Sequence, residues 1–159
     1  MAAPAAPTLI ERSLLLGRGD HSPDTPCIEK VVSFQRRGHR VLLVAPRPAG
    51  WRPTRRSVDH DLALQQQFHQ LFTRAGAELD GVLYLGTGLF SRKNRQKNEF
   101  EQTARRYGRN VDEMTLIGSD QSLIEAADRV GLKLHVIGST PIPNIPTFED
   151  LKTALANVG

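Results

Sequence analysis

Leu116-Ile-Gly-Ser-Asp-Gln-Ser-Leu-Ile-Glu-Ala-Ala, residues 116–127, puts the end of an apolar run, a glycine-led polar loop and the start of an amphipathic pattern in immediate succession. Met114–Ile117 has the length and content of a strand, while Leu123, Ile124, Ala127 and Val130 recur at helical spacing until Gly131 stops them. A second strand-like run, Lys133–Ile137, follows at once. That is a strand-helix-strand unit, and the pattern repeats toward the amino terminus. Ser13–Leu16, Arg40–Ala45 and Gly81–Leu85 are further short apolar runs without clean alternation, as expected of strands covered on both faces. Between them lie helical patterns: Ile28, Val31 and Val32 before Gly38; Leu64, Phe68, Leu71, Phe72 and Ala75 before Gly76; Phe100, Ala104 and Tyr107 before Gly108. A last helix is predicted from Thr147, with Thr147 and Asp150 as a capping pair and Leu151, Leu155 and Val158 inward. Strand and helix in strict alternation predict an α/β fold, a doubly wound parallel sheet of about five strands with helices on both faces.

Composition fits one such domain. A chain of 159 residues can bury a core unaided, and its 39% hydrophobic and 24% charged content is that of a globular protein with no membrane span. Residues 1–12 read as a flexible tail without the basic and apolar regions of a secretory signal, and residues 13–159 as a single domain. The lone Cys27 excludes an internal disulfide and a cysteine-rich zinc site, so a cytoplasmic location is expected. The formal charge of +4 is compatible with a phosphate-bearing ligand, nucleic acid or an acidic protein partner. In a doubly wound sheet ligands lie beyond the carboxyl ends of the strands. The segments there are Gly17–Pro26, Pro46–Asp59, Gly86–Gln96, Gly118–Ser122 and Gly138–Pro146, the second too rich in proline for a helix. Asp59-His60-Asp61 then reads as the capped opening of the next helix.

The stretch at 116–127 resembles the fourth motif of the haloacid dehalogenase superfamily, a strand running into Gly-Asp-Ser-x-x-Asp-Ile-x-Ala-Ala. Ile28-Glu-Lys-Val-Val-Ser-Phe-Gln-Arg-Arg-Gly-His-Arg-Val-Leu-Leu-Val is similar to the helix-glycine-strand that leads into that family's second motif. Ser91-Arg-Lys stands where the small, capless D,D-heptose 1,7-bisphosphate and histidinol-phosphate phosphatases carry Cys-Arg-Lys-Pro. The resemblance covers about residues 13 to 140 and implies a domain with no cap, in which the strand from Ser13 is central beside the strand of the fourth motif. It also implies a mechanism in which one aspartate attacks phosphorus, a second protonates the leaving oxygen and Mg²⁺ bridges carboxylate and phosphate.

The catalytic positions depart from that pattern. Ser13-Leu-Leu-Leu-Gly-Arg-Gly-Asp aligns with a strand ending in Asp-x-Asp-Gly-Thr, which puts Gly17 at the nucleophile and Gly19 at the acid/base. Ala45-Pro-Arg replaces the second motif's Thr-Asn-Gln, and Ser119 and Leu123 replace the metal-holding aspartates of the fourth. No zinc and no magnesium site is expected. The implied function is a catalytically inactive, phosphatase-like binding or assembly protein whose loop face attracts anions through Arg18, Arg47, Arg52, Arg92 and Lys93, and which can serve as a subunit of a larger assembly. The alternative is an active Mg²⁺-dependent phosphatase acting on a small phosphorylated metabolite through a relocated site at Asp20 and Asp120.

Overall fold

The computed structural model describes residues 5–17, 19, 22–47, 55–86 and 93–158. Six strands run parallel in these residues: β1 (Pro7–Glu11), β2 (Arg40–Arg47), β3 (Val82–Gly86), β4 (Thr115–Gly118), β5 (Lys133–Ile137) and β6 (Thr147–Phe148). The helices between them are α1 (Thr25–Arg36), α2 (Arg55–Arg74), α3 (Lys93–Arg106), α4 (Gln121–Val130) and α5 (Leu151–Ala156). The strand order is β3-β2-β1-β4-β5-β6, so the chain winds one way from β1 and then the other, and the reversal falls between β1 and β4. The expected doubly wound α/β sheet is therefore present, one strand larger than expected, with no cap domain among the described residues.

Both faces of the sheet are covered, which is why the strands read as unbroken apolar runs. Along Val41-Leu42-Leu43-Val44 successive side chains enter opposite cores. Leu42, Val44, Leu9, Leu116 and Leu134 join Phe100 and Ala104 of α3 and Leu123, Ile124 and Ala127 of α4. Val41, Leu43, Ile10 and Ile117 join Ile28 and Phe34 of α1, Phe68 and Phe72 of α2, and Leu151 and Leu155 of α5. Gly131 ends α4 at φ +101°, a conformation that costs other residues steric strain, and its N–H returns to the carbonyls of Ala127 and Asp128.

Three expectations are corrected. The central strand is not Ser13–Leu16 but Pro7–Glu11, with all five residues buried, so the domain starts inside the segment predicted to be a tail. Residues 12–15 instead form a short 3-10 helix that buries Leu15 alone. Three consecutive leucines outweigh Thr8-Leu9-Ile10-Glu11 in hydropathy, yet only the latter can insert between β2 and β4 and feed both cores. Thr147 does not open the last helix; Thr147–Phe148 pairs with β5 as an edge strand, and Asp150 caps α5 itself by accepting the Thr153 N–H at 2.8 Å. Finally, α2 begins at Arg55 and α3 at Lys93, so both reach further into the expected loops, and Asp59, His60 and Asp61 lie within a helix rather than at its start. No helix of the described residues is long and apolar enough to cross a membrane.

Candidate active site

At the carboxyl end of β1, where the sheet reverses, stands Glu11, 1% exposed. Its partner strand β4 ends at Gly118, and the two residues that follow close over the carboxylate. Oε2 accepts the Ser119 N–H at 3.1 Å and the Ser119 hydroxyl at 2.9 Å, while Oε1 accepts the Asp120 N–H at 3.1 Å. A buried carboxylate carries a large desolvation cost, and three donors on two oxygens are what makes its burial tolerable. Asp120 is engaged elsewhere, as N-cap of α4, its Oδ2 taking the Leu123 N–H at 2.9 Å. Leu123 is fully buried in the core beside Ile124 and offers no ligand.

The next residue, Arg12, turns the other way and builds a second polar cluster. Its Nη2 lies 2.6 Å from Asp61 Oδ1 and its Nη1 3.1 Å from Gln65 Oε1, both on α2. The Tyr84 hydroxyl of β3 donates to the other Asp61 oxygen, the Arg12 guanidinium sits 5.8 Å from the Tyr84 ring centroid, and Gln65 Nε2 is 3.2 Å from His69 Nε2. Burial raises the Asp61 carboxyl, but hydrogen bonds from Arg12 and Tyr84 and the charge of Arg12 outweigh it and hold Asp61 below the ordinary carboxylate range. Burial and then the Asp61 hydrogen bond push the Tyr84 phenol up. This cluster ties the early turns of α2 to the end of the central strand.

The sequence-predicted residues fall into four groups. Ser119, Asp120 and Leu123 are at the β4–α4 junction as expected, and Ala45 is buried in β2 opposite Tyr84. Gly17 and Gly19 are not at a strand end. They lie in a return loop beyond the 3-10 helix, in which Leu16 bridges Pro23 and the Gly17 N–H donates to the Ser22 carbonyl at 2.7 Å. Lys93 is the exposed first residue of α3, and with Asn94, Arg95 and Asn98 it lines a cleft of about 760 Å³. Arg18, Asp20, Arg52 and Arg92 lie outside the described residues, as does the side chain of Arg47. Sequence reasoning missed Glu11, Arg12 and Tyr84, and took Asp61 only as part of a helix opening. The available signal was Thr8-Leu9-Ile10, a β-branched and apolar triplet running straight into a charged pair.

These residues do not fit magnesium. The ion asks for several oxygen ligands, carboxylates among them. Here both Glu11 oxygens already face N–H and O–H hydrogens, Ser119 supplies a hydroxyl that donates inward, and Leu123 is hydrocarbon. Among the described residues no three His, Cys, Asp or Glu side chains come together as a metal-holding group.

No protein-family model matches the chain, and no curated protein matches it in sequence. Solved structures do match. D,D-heptose 1,7-bisphosphate phosphatase from B. bronchiseptica, in complex with magnesium and phosphate, superposes with a TM-score of 0.72 at 16% identity, covering 96% of each chain. A putative haloacid dehalogenase-like phosphatase from Mesorhizobium loti gives 0.72 at 14% identity over 98% of this chain and 84% of the other. D,D-heptose 1,7-bisphosphate phosphatase from Burkholderia thailandensis gives 0.63 at 13% identity over 95% and 97%. A likeness this complete at such low identity is one of architecture: the chain has the capless fold of the haloacid dehalogenase superfamily phosphatases.

Proposed function

We propose that the protein is a catalytically inactive, phosphatase-like binding or assembly protein that works through the basic loop face beyond the carboxyl ends of its strands. The observation that carries this is the commitment of Glu11. In the family the central strand runs into Asp-x-Asp; because the central strand here is Pro7–Glu11, we take Glu11-Arg12-Ser13, in place of Gly17 and Gly19, as the counterpart of that tripeptide. A nucleophilic carboxylate must reach phosphorus with a lone pair in line, whereas the Glu11 carboxylate is 1% exposed and has three of its four lone pairs taken by Ser119 and Asp120. Ser13 in the acid/base position is a hydroxyl whose ionisation lies far from neutral pH, so it is a poor proton donor for a leaving alkoxide. Neither Ser119 nor Leu123 supplies a carboxylate for a bridging cation. Against the relocated site of the alternative reading, one Asp120 carboxylate oxygen is already used to cap α4.

The binding half of the proposal rests on charge. The first turns of α3 place Lys93 and Arg95 on the cleft wall with no acidic residue in the first turn, so two cations sit at the positive end of a helix. Such an arrangement favours phosphate-bearing ligands or nucleic acid and weakens with salt. Titration of a polyphosphate and of single-stranded DNA at low ionic strength tests it. Binding that falls with salt and is lost when Arg47→Ala and Lys93→Ala are combined supports an anion-binding face. Failure of both ligands to bind transfers the role of this face to protein docking within an assembly.

A further inference from the structure

The hydrogen bonds around Glu11 make more of this site than a decayed one. The N–H groups of Ser119 and Asp120 and the Ser119 hydroxyl converge on one point just before α4, and what they hold is a carboxylate of the same chain. We propose that Glu11 is a tethered ligand for its own site: its side chain fills the oxyanion cradle at the β1/β4 reversal and excludes both cations and external phosphate from it. The proposal rests on the inactive reading above and adds to it a reason why the domain needs neither ion to be stable.

Three observations support the tether. The carboxylate is buried, while Ser119 and Asp120 are exposed over it, so the donors form a lid that an entering ion would have to displace. The three donor hydrogens also occupy most of the lone pairs that a cation would need on the Glu11 carboxylate. An approaching phosphate meets the opposite problem, because its donors are occupied and a fixed negative charge lies behind them. The tether also needs no ordering of a free ligand, since backbone folding has already positioned it.

Vacating the cradle tests the proposal. Unfolding temperatures are measured for the wild type, Glu11→Ala and Glu11→Gln with added sodium chloride, formate, phosphate or magnesium chloride at matched ionic strength. The wild type should be unmoved by millimolar magnesium. Glu11→Ala should unfold about 5–10 °C lower, the loss of three charge-assisted bonds being offset in part by relief of a buried charge. Formate or phosphate, but not chloride, should recover about half of that loss by refilling the cradle. Recovery by chloride alone, absence of any oxyanion effect, or magnesium stabilisation of the wild type would each overturn the tether. If Glu11→Ala does not fold, amide exchange in the isosteric Glu11→Gln decides: the Ser119 and Asp120 N–H groups should exchange about tenfold or more faster, and unchanged protection rejects the proposal. Oxyanion rescue without polyanion binding would leave the tether standing and sink the binding face. Polyanion binding without rescue would do the reverse.

Discussion

Replacing Asp61 by asparagine removes a carboxylate that joins α2 to the end of the central strand, and its cost follows from the partners it loses. Asp61 accepts a 2.6 Å bond from Arg12 and a bond from Tyr84, both strengthened by its charge. Hydrogen bonds to a charged group contribute about 1.5–3 kcal/mol each. The Asp61 side chain is 29% exposed and water recovers part of that, whereas the Arg12 side chain, 12% exposed, keeps Gln65 and the Tyr84 face among the described residues. Asparagine retains one acceptor, so the net loss should be about 2 kcal/mol. Urea unfolding should show a lower midpoint at unchanged slope. A cycle with Arg12→Met should then give a coupling of at least about 1 kcal/mol between the two residues. The pH dependence carries a definite sign. Because the folded carboxyl titrates below its ordinary value of 3.8, its contribution is fully present above that pH and is lost as pH falls through the lower folded value. Asp61→Asn should therefore flatten the wild-type loss of stability below about pH 4 and leave the neutral range parallel. Coupling below about 0.5 kcal/mol, or identical acid limbs, would show that the cluster is solvated and holds nothing in place.

Two further predictions concern the strand and the cap. Leu9→Ala should cost about 2–5 kcal/mol because Leu9 is fully buried in the central strand, against less than about 0.5 kcal/mol for Leu62→Ala, 60% exposed on α2. Equal effects in denaturant would return residues 7–11 to the status of a tail. Asp120→Ala should cost about 1 kcal/mol and Asp120→Asn almost nothing, since asparagine caps equally well. An asparagine variant as damaged as the alanine one would mean that the charge, and not the cap, is what matters at this position.

The alternation of strands and helices was legible because each strand from β2 to β5 is a short, largely apolar run that follows a glycine stop on the helix before it. Lys133–Ile137 matches its observed bounds, and Gly38, Gly76, Gly108 and Gly131 all mark chain reversals at positive φ. The first strand was not legible, since a buried glutamate lowers the apolar score of the very segment it makes informative. Its neighbours Leu14 to Leu16 raised the score of a segment that only turns. Thr147 misled for a related reason: a Thr-x-x-Asp spacing fits a helix start, yet the backbone of residues 147 and 148 finds hydrogen bonds along β5 first, and the helix waits for Asp150. The β4–α4 junction was read at the right residues. Its role in holding Glu11 was hidden because the partner lies 108 positions away in sequence. Contacts of that separation are set by strand order, which no local pattern encodes.

The account stands most directly on turnover. With a panel of phosphomonoester and bisphosphate substrates, the protein should release no inorganic phosphate above background with or without Mg²⁺, and Glu11→Gln should leave that baseline unchanged. Mg²⁺-dependent turnover abolished by Glu11→Gln would mean that the Ser119 and Asp120 bonds open to free a working nucleophile. Turnover that survives this change but vanishes in both Asp20→Asn and Asp120→Asn would place an active site where the account puts only a loop and a helix cap.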